Sequence, residues 1–175
     1  MLISPQYVND NLAMHERLAN YGAYGSRWAD RVRAIAARTG SCDVLDYGCG
    51  KGTLAKALTD LTVREYDPAI PGKDALPASA DLVVCTDVLE HIEPDCIDEV
   101  IAHIGRLTRT AAFLNISTRL AAKSLDDGRN AHLIVQDAAW WRALIEGIFD
   151  LDEWQVEQDQ VNCVARPKAP APPGA

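Results

Sequence analysis

The sequence predicts an α/β fold with a mostly parallel sheet, helices on both faces and an antiparallel hairpin near the carboxyl end. At residues 44–58, a short apolar run leads into three glycines at alternate positions and then into an amphipathic segment. This order is typical of a strand, a tight turn and a helix start, and glycines let such a turn approach a ligand closely. At residues 81–91, a strand of the buried type passes through an acidic segment into a helical pattern. Residues 149–156 and 161–165 have the pattern of two strands around a turn near Gln158, which predicts the hairpin.

Capping residues and apolar periodicity predict the remaining elements. Ser4 and Pro5 suit the N-cap and the first position of a helix, and Gly40 suits the end of the next one. Asp137 can cap the last helix and Gly147 can end it. The helices predicted in this way cover about residues 4–20, 26–40, 94–107 and 137–147, and a further strand covers residues 111–116.

Composition and charge set the broad class of the protein. The chain has 175 residues, of which 48% are hydrophobic and 24% charged, as in one globular domain. No apolar run approaches the ~18 residues of a membrane span, and no secretory signal is recognisable, so neither a membrane nor secretion is predicted. The five cysteines are scattered and include no Cys-x-x-Cys pair, which argues against a disulfide framework or a zinc site. A cytoplasmic location is therefore predicted. The net charge of −8 argues against nucleic acid as a partner and favours a small molecule.

The glycine turn fits one class of ligand site better than two others. A dinucleotide-binding turn needs Gly or Ala where this chain has Thr53. A phosphate-binding loop needs Ser or Thr after Gly-Lys, but Gly52 follows Lys51, whose side chain is expected to be solvated. What remains is the pattern Asp-x-Gly-x-Gly-x-Gly over residues 46–52, with Asp67 lying 21 residues beyond its first acid. An acid at about 20 residues' distance is placed to hydrogen-bond ribose hydroxyls.

Together these motifs resemble the class I S-adenosylmethionine-dependent methyltransferases. The glycine turn matches the turn after the family's first strand, Asp67 matches its ribose acid, and the sequence Asp-Val-Leu-Glu-His at residues 87–91 is frequent after its fourth strand. The resemblance covers about residues 40–165 and implies a Rossmann-like sheet with S-adenosylmethionine as cofactor. It implies that Asp46 holds the amino group of the methionine moiety, directly or through water. The cofactor-binding residues that it implies are Asp46, Gly48, Cys49, Gly50, Asp67, Pro68, Asp74, Leu76, Thr86, Asp87 and Val88.

One departure from the family pattern predicts a smaller sheet. Only 13 residues, from Pro68 to Ala80, separate Asp67 from the next strand, and prolines break most of that length. A helix and an edge strand cannot fit there, because a crossover unit needs about 10 to 12 residues before its strand is counted. We therefore expect the family's third strand to be missing and the second strand to form the edge. Asp74 and Leu76 would then pass over the adenine.

The remaining regions are assigned from the family's usual layout for the leading helices and from composition for the tail. Residues 1–40 are expected to be helices that cover the cofactor site, residues 41–166 the cofactor-binding domain, and residues 167–175 a disordered, proline-rich tail. In this family such leading helices often help to form the acceptor pocket. Candidate lining residues, each with core packing as its alternative role, are Tyr7, His15, Tyr21 and Tyr24.

Candidate catalytic residues lie near the predicted carboxyl edge of the sheet. Methyl transfer from a sulfonium requires alignment of the acceptor and often removal of a proton. Glu90 and His91 lie just beyond a strand, and His91 is a candidate base, with shaping of the helix start or the cofactor pocket as its alternative role. His132, in the long connection of residues 117–136, is the second candidate. We therefore predict metal-free transfer to an O or N atom of a small-molecule acceptor.

Two alternatives stay open. The small-RNA 3′-end 2′-O-methyltransferases use an acid-x-x-Glu-His segment with a distant His as a divalent-metal site. Asp87, Glu90, His91 and His132 could imitate that set. A methyltransferase-like domain can also serve as a non-catalytic partner of an active subunit, although the intact glycine turn and ribose acid favour a working cofactor site.

Overall fold

The computed structural model describes residues 1–169 and has the order of helices and strands that the sequence predicts. The helices are α1 (Pro5–Arg17), α2 (Ala29–Thr39), α3 (Thr53–Ala57), α4 (Ile97–Leu107) and α5 (Ala138–Glu146). The strands are β1 (Asp43–Tyr47), β2 (Thr62–Tyr66), β3 (Ala80–Thr86), β4 (Thr108–Ser117), β5 (Phe149–Val156) and β6 (Gln160–Pro167). Short 3-10 helices at Gly25–Trp28 and Leu89–His91 precede α2 and follow β3. Ser4 and Asp137 cap α1 and α5 through their side chains, as predicted.

The six strands form one sheet in the order β2-β1-β3-β4-β6-β5. The first four strands are parallel, and the hairpin of β5 and β6 joins β4 in antiparallel fashion. β2 lies at one edge, and along the chain no helix or strand stands between β2 and β3. The predicted absence of the family's third strand is therefore confirmed. The carboxyl ends of β1 to β4 share one edge of the sheet, where open α/β sheets bind ligands.

Helices cover both faces of this sheet. On one face, α4 and α5 bury Ile104 and Trp141 against the strands. On the other face, α2 buries Val32 and Ile35, which have 0% and 1% exposure. α2 therefore belongs to the packing of the sheet. Within residues 1–40, the residues that line the space over the strand ends lie between Ile3 and Arg27, in and around α1.

A third buried cluster joins α1 to the long connection between β4 and α5. Tyr7 and Met14 of α1 pack against Leu125 and Ala131 of that connection. Polar contacts hold the same parts together: Arg17 with Asp126 at 2.5 Å and Arg129 with Asp10 at 3.5 Å. At the start of α1, Ser4 Oγ donates to Glu93, which lies just before α4, at 2.7 Å. We call α1, residues 18–25 and residues 118–136 together the roof, because they lie above the carboxyl ends of the strands.

Some predicted boundaries differ from the observed ones. α1 ends at Arg17 because Leu18 adopts an extended backbone, so the helix does not reach residue 20. Pro94 lies in a turn, and α4 begins three residues later. Pro167 is the last residue of β6, so the predicted tail does not begin there, and its residues 170–175 lie outside the described residues. Within residues 1–169, no helix has both the length and the apolar composition needed to cross a membrane.

Candidate active site

A cavity of about 430 Å³ lies between the carboxyl ends of the strands and the roof. Its volume is within the range of about 300–1,000 Å³ that is usual for small-molecule sites. The sheet contributes the glycine turn and acids at the strand ends, and the roof contributes aromatic and basic side chains. All four N-terminal candidates line it, namely Tyr7, His15, Tyr21 and Tyr24.

The glycine turn needs glycine for both conformation and space. Gly48 and Gly50 have φ values of 76° and 52°, in the left-handed region that other residues rarely adopt. A Cβ on Gly48 would lie 2.4 Å from Cγ2 of Val88, and one on Gly50 would lie 2.4 Å from the carbonyl oxygen of Gly22. The turn is therefore packed directly between β3's end and the roof.

Lys51 joins the turn to the roof, which corrects the expectation that it is solvated. Its backbone N–H donates to the carbonyl of Gly22 at 2.8 Å. Its ammonium donates to the carbonyls of His15 at 3.2 Å and Leu18 at 3.1 Å. These three bonds satisfy carbonyls at and just beyond the end of α1, and they fix the roof over the turn.

Asp67 connects the end of β2 to the same turn. The residue is 7% exposed and lines the cavity. Oδ2 accepts from the N–H of Gly50 at 3.0 Å, and Oδ1 accepts from the N–H of Ala69 at 3.0 Å. A carboxylate oxygen has more than one lone pair, so each of these atoms can accept a further hydrogen bond from a ligand hydroxyl.

Asp46 places an unpartnered carboxylate oxygen in the site. The residue is 4% exposed, it lines the cavity, and its Oδ2 has no hydrogen-bond partner among the described residues. Burial, together with the nearby charge of Glu65, raises the pKa of Asp46 to about 7. Buried polar atoms are nearly always satisfied, so this oxygen indicates a ligand group that donates a hydrogen bond or carries positive charge.

The end of β3 supplies Thr86, Asp87 and Val88, which all line the cavity. Asp87 has φ 55° and is the one non-glycine residue with positive φ within residues 1–169. Its carboxylate accepts from Arg27 of the 3-10 helix before α2 at 2.7 Å. Burial raises the pKa of Asp87, and Arg27 opposes that shift. Such a backbone strain is sustained where the surrounding contacts impose it, and it is frequent at active sites.

Glu90, His91 and His132 form one group of side chains. Nδ1 of His91 lies 2.7 Å from the carbonyl of Ala131, and Nδ1 of His132 lies 2.6 Å from the carbonyl of Arg119. A carbonyl only accepts hydrogen bonds, so in the neutral imidazoles the proton is on Nδ1 and the lone pair is on Nε2. The two rings contact edge to face, with centroids 4.7 Å apart.

Glu90 lies behind the histidines rather than on the cavity wall. The residue has 0% exposure, its Oε1 accepts from the N–H of Ser117 at 2.9 Å, and its Oε2 has no partner within residues 1–169. One donor atom from each of Glu90, His91 and His132 lies within 4.8 Å of the others. Burial raises the pKa of Glu90 to about 8 and lowers that of His91 to about 3. The group therefore favours neutral side chains near pH 7.

The structure does not place two predicted residues in the cavity. Asp74 is exposed and accepts from the N–H of Gly72 at 3.0 Å, and Leu76 is 75% exposed. The segment after β2 turns away from the site once Ala69 has contributed to the wall. Sequence reasoning also missed lining residues of the roof. One is Asn11 of α1, and the others lie in the connection between β4 and α5, whose length was the only signal for them: Arg119, Ala121, Ala122 and Lys123.

Comparisons with known proteins agree with this geometry. The chain matches the family model described as "Methyltransferase domain" over residues 16–163. Among solved structures, it is similar to a 1,6-didemethyltoxoflavin-N1-methyltransferase from Burkholderia thailandensis with bound 1,6-didemethyltoxoflavin and S-adenosylhomocysteine. The TM-score is 0.67 at 18% identity, covering 97% of this chain and 92% of that one.

Two further structures show the same fold. The magnesium protoporphyrin IX methyltransferase from Synechocystis, with bound S-adenosylhomocysteine, has a TM-score of 0.60 at 17% identity over 82% of this chain and 83% of that one. The N-methyltransferase NodS from Bradyrhizobium japonicum, with S-adenosyl-L-homocysteine, has a TM-score of 0.59 at 16% identity over 82% and 86%. A search of curated protein sequences found no match.

The family match covers most of the chain and includes the glycine turn, Asp67 and the Glu90–His132 group. The resemblance that the sequence motifs suggested is thus confirmed, and the chain belongs to the methyltransferase domain family, with the class I S-adenosylmethionine-dependent fold.

Proposed function

We propose that the protein transfers a methyl group from S-adenosylmethionine to an O or N atom of a small-molecule acceptor. The observation that carries this proposal is the buried carboxylate of Asp46, with its unpartnered oxygen, beside the glycine turn and Asp67. S-adenosylmethionine offers a complementary ammonium group and ribose diol in one molecule. The similar methyltransferases crystallised with S-adenosylhomocysteine support this cofactor.

The cofactor is assigned to the sheet side of the cavity. Oδ2 of Asp46 would accept from the methionine ammonium, and the carboxylate of Asp67 would accept from the ribose hydroxyls in addition to its two backbone donors. Asp74 and Leu76 are left out of this assignment because they lie off the cavity wall. The other residues assigned to the cofactor are Gly48, Cys49, Gly50, Pro68, Thr86, Asp87 and Val88.

The acceptor is assigned to the roof side, next to the histidines. In the transfer, a lone pair of the acceptor atom bonds to the methyl carbon, the carbon–sulfur bond breaks, and its electron pair stays on sulfur. His91 and His132 both offer an unprotonated Nε2 that can take the acceptor's proton, because their lowered pKa values keep the rings neutral. Burial raises the pKa of Glu90 to about 8, so near pH 7 this side chain is mainly the neutral acid and adds no negative charge behind the two bases.

Calorimetry with S-adenosylhomocysteine tests the cofactor assignment. The wild-type protein should bind it in the micromolar range, and NAD should not compete. Asp67→Ala should weaken binding tenfold or more, because hydrogen bonds to a charged group contribute about 1.5–3 kcal/mol. Asp95→Ala, which removes an exposed acid in the turn before α4, should leave affinity unchanged. Tight NAD binding without any response to S-adenosylhomocysteine would contradict the proposal.

The histidine group supports a second candidate, a divalent-metal centre that assists transfer to a hydroxyl. Its donor atoms are close enough, and each imidazole is oriented by a backbone carbonyl, as metal-ligating histidines usually are. A bound ion would act as a Lewis acid on the acceptor oxygen. Asp87, the fourth member of the set suggested by the RNA-modifying family, pairs with Arg27 instead.

Metal content separates the two candidates without a known acceptor. For metal-free transfer, protein incubated with Mn²⁺ or Zn²⁺ and then desalted should retain much less than one ion per chain by mass spectrometry. One retained ion per chain would instead establish the metal centre, provided that His91→Ala and His132→Ala both lose it. His103→Ala is the matched control, since His103 contacts Tyr47 away from the cavity and should not affect metal retention.

A small acceptor is proposed over RNA because the cavity is roofed and the net charge is −8. Binding of a small acceptor should change little between low and moderate salt, whereas RNA binding would weaken by orders of magnitude.

All five cysteines are free thiols, which supports the proposed cytoplasmic location.

A further inference from the structure

The charges in the cavity are divided between its two sides. The acids Asp46 and Asp67 lie on the sheet side, where the cofactor is assigned. The connection between β4 and α5 contributes two cations on the roof side, Arg119 and Lys123. In a chain with a net charge of −8, a local excess of positive charge on one wall of a cavity requires an explanation.

Of the cations in the wall, Lys123 is the one without a carboxylate partner. Arg27 pairs with Asp87 at 2.7 Å, and Arg119 lies 3.6 Å from Asp159. Within residues 1–169, no ion pair involves Lys123, and its ammonium lies 5.4 Å from the centroid of the Tyr21 ring. A cation–π contact positions the ammonium but leaves its full charge available to an anion.

The position of Tyr21 links this ammonium to the chemistry. The same ring contacts His91 with a centroid distance of 5.9 Å and His15 with one of 4.7 Å. The Lys123 ammonium and the proposed base His91 therefore both lie next to the Tyr21 ring. A small acceptor can span the distance between them.

A second observation on the roof side also indicates a ligand. The hydroxyl of Tyr7, a residue 3% exposed, has no hydrogen-bond partner among the described residues and lines the cavity. Burial raises the pKa of both Tyr7 and Tyr21, so both phenols stay protonated and neither supplies a counter-charge for Lys123. Tyr7 can donate to an oxygen of a bound molecule.

We propose that Lys123 binds a carboxylate of the acceptor, so that the substrate is a small carboxylic acid carrying the O or N atom to be methylated. One unpaired ammonium matches one negative charge, which favours a carboxylate over a doubly charged phosphate. This inference rests on the proposed function, because it places the acceptor beside the histidines and the cofactor opposite.

The test compares two probes of the same shape, 4-hydroxybenzoate and 4-hydroxybenzamide. Binding to the protein saturated with S-adenosylhomocysteine is followed by ligand-observed NMR, with EDTA present so that no metal ion holds the carboxylate. We expect the acid to bind at least tenfold more tightly than the amide, and Lys123→Gln to abolish that preference. Lys123→Arg should retain it, and so should Lys168→Gln, which removes an equal charge beyond the far end of β6.

Three results would overturn the inference: equal or undetectable binding of both probes, a preference that survives in Lys123→Gln, or a loss of S-adenosylhomocysteine affinity in that variant. The last result would assign the ammonium to the carboxylate of the cofactor. Failure of the wild-type protein to bind S-adenosylhomocysteine is a different outcome, because it would refute the proposed function itself.

Discussion

The two sides of the cavity are built differently. On the sheet side, Asp46, Gly48, Gly50 and Asp67 lie at or within a few residues of strand ends, and the parallel registers of β1, β2 and β3 bring them together. On the roof side, functional candidates such as Tyr7 and Lys123 come from segments more than a hundred residues apart in the sequence, and these segments meet in a small separate cluster.

This difference affects stability as well as geometry. The strand ends belong to a sheet covered by helices on both faces, whereas the roof is held by one small apolar cluster, surface ion pairs and the bonds of Lys51. Exposed ion pairs contribute little, typically about 0–1 kcal/mol. We therefore expect the roof to open locally while the sheet stays folded, which would admit the cofactor and the acceptor.

The largest expected effect comes from forcing the two sides apart where they are in closest contact. In Gly50→Ala, the new Cβ would meet the Gly22 carbonyl at 2.4 Å, so the roof must move away from the turn. We predict a loss of about 2–5 kcal/mol in the free energy of unfolding, from overpacking and left-handed strain combined, and no detectable S-adenosylhomocysteine binding by calorimetry. Gly40→Ala has the same left-handed strain at φ 68° but open space around its Cβ, and it should bind normally. Equal losses in both variants would show that the roof contact does not matter.

The second prediction concerns the unpartnered carboxylate on the sheet side. Because the pKa of Asp46 is about 7, the cofactor-free folded protein holds a proton there between about pH 4 and 7 that the unfolded chain has released. The stability of that form therefore falls as pH rises through this window. Asp46→Asn removes the free-energy cost of a buried ionised carboxylate. Near pH 8, the cofactor-free variant should therefore have a higher melting temperature than the wild type, and its free energy of unfolding should be larger by up to about 4 kcal/mol.

The same substitution should have the opposite effect on binding. In the wild-type protein, the association constant for S-adenosylmethionine should rise with pH from about 5 to 7, by at most tenfold per unit, as Asp46 loses its proton. Asp46→Asn should bind weakly and show a flat profile. A variant that is less stable without cofactor, or that keeps the wild-type profile, would show that Asp46 does not hold the ammonium.

The smallest effect is expected from loosening the roof alone. Lys51→Met removes two hydrogen bonds to carbonyls near the end of α1. At about 0.5–1.5 kcal/mol each, their loss should speed amide hydrogen exchange in α1 several-fold to about a hundredfold, and exchange in β1 and β3 should stay slow. Lys56→Met, which removes a single exposed bond to the Lys51 carbonyl, is the control. Unchanged exchange in α1 would mean that these bonds do not stabilise the roof, and equal acceleration in α1, β1 and β3 would mean that the roof and the sheet unfold as one unit.

The same difference between the two sides decides how much could be predicted from the sequence. The glycine turn, Asp67 and the missing strand followed from local patterns, since a turn's glycines and a short proline-broken segment restrict structure within a few residues. The path of the segment with Asp74 and Leu76 away from the cavity wall could not be predicted, because nothing local indicates whether an irregular segment turns toward the cavity or away from it. Lys51 bonds to the roof, and the ring of His91 contacts that of His132. Both contacts join segments that are distant in the sequence, so no local pattern predicts them.

A crystal structure of the complex with S-adenosylhomocysteine tests the central claim most directly. We predict the methionine ammonium within hydrogen-bond distance of Oδ2 of Asp46, the ribose hydroxyls at the carboxylate of Asp67, and the sulfur facing the space in front of His91 and His132. A cofactor that binds outside the cavity, or one that leaves Asp46 without a partner, would contradict the account.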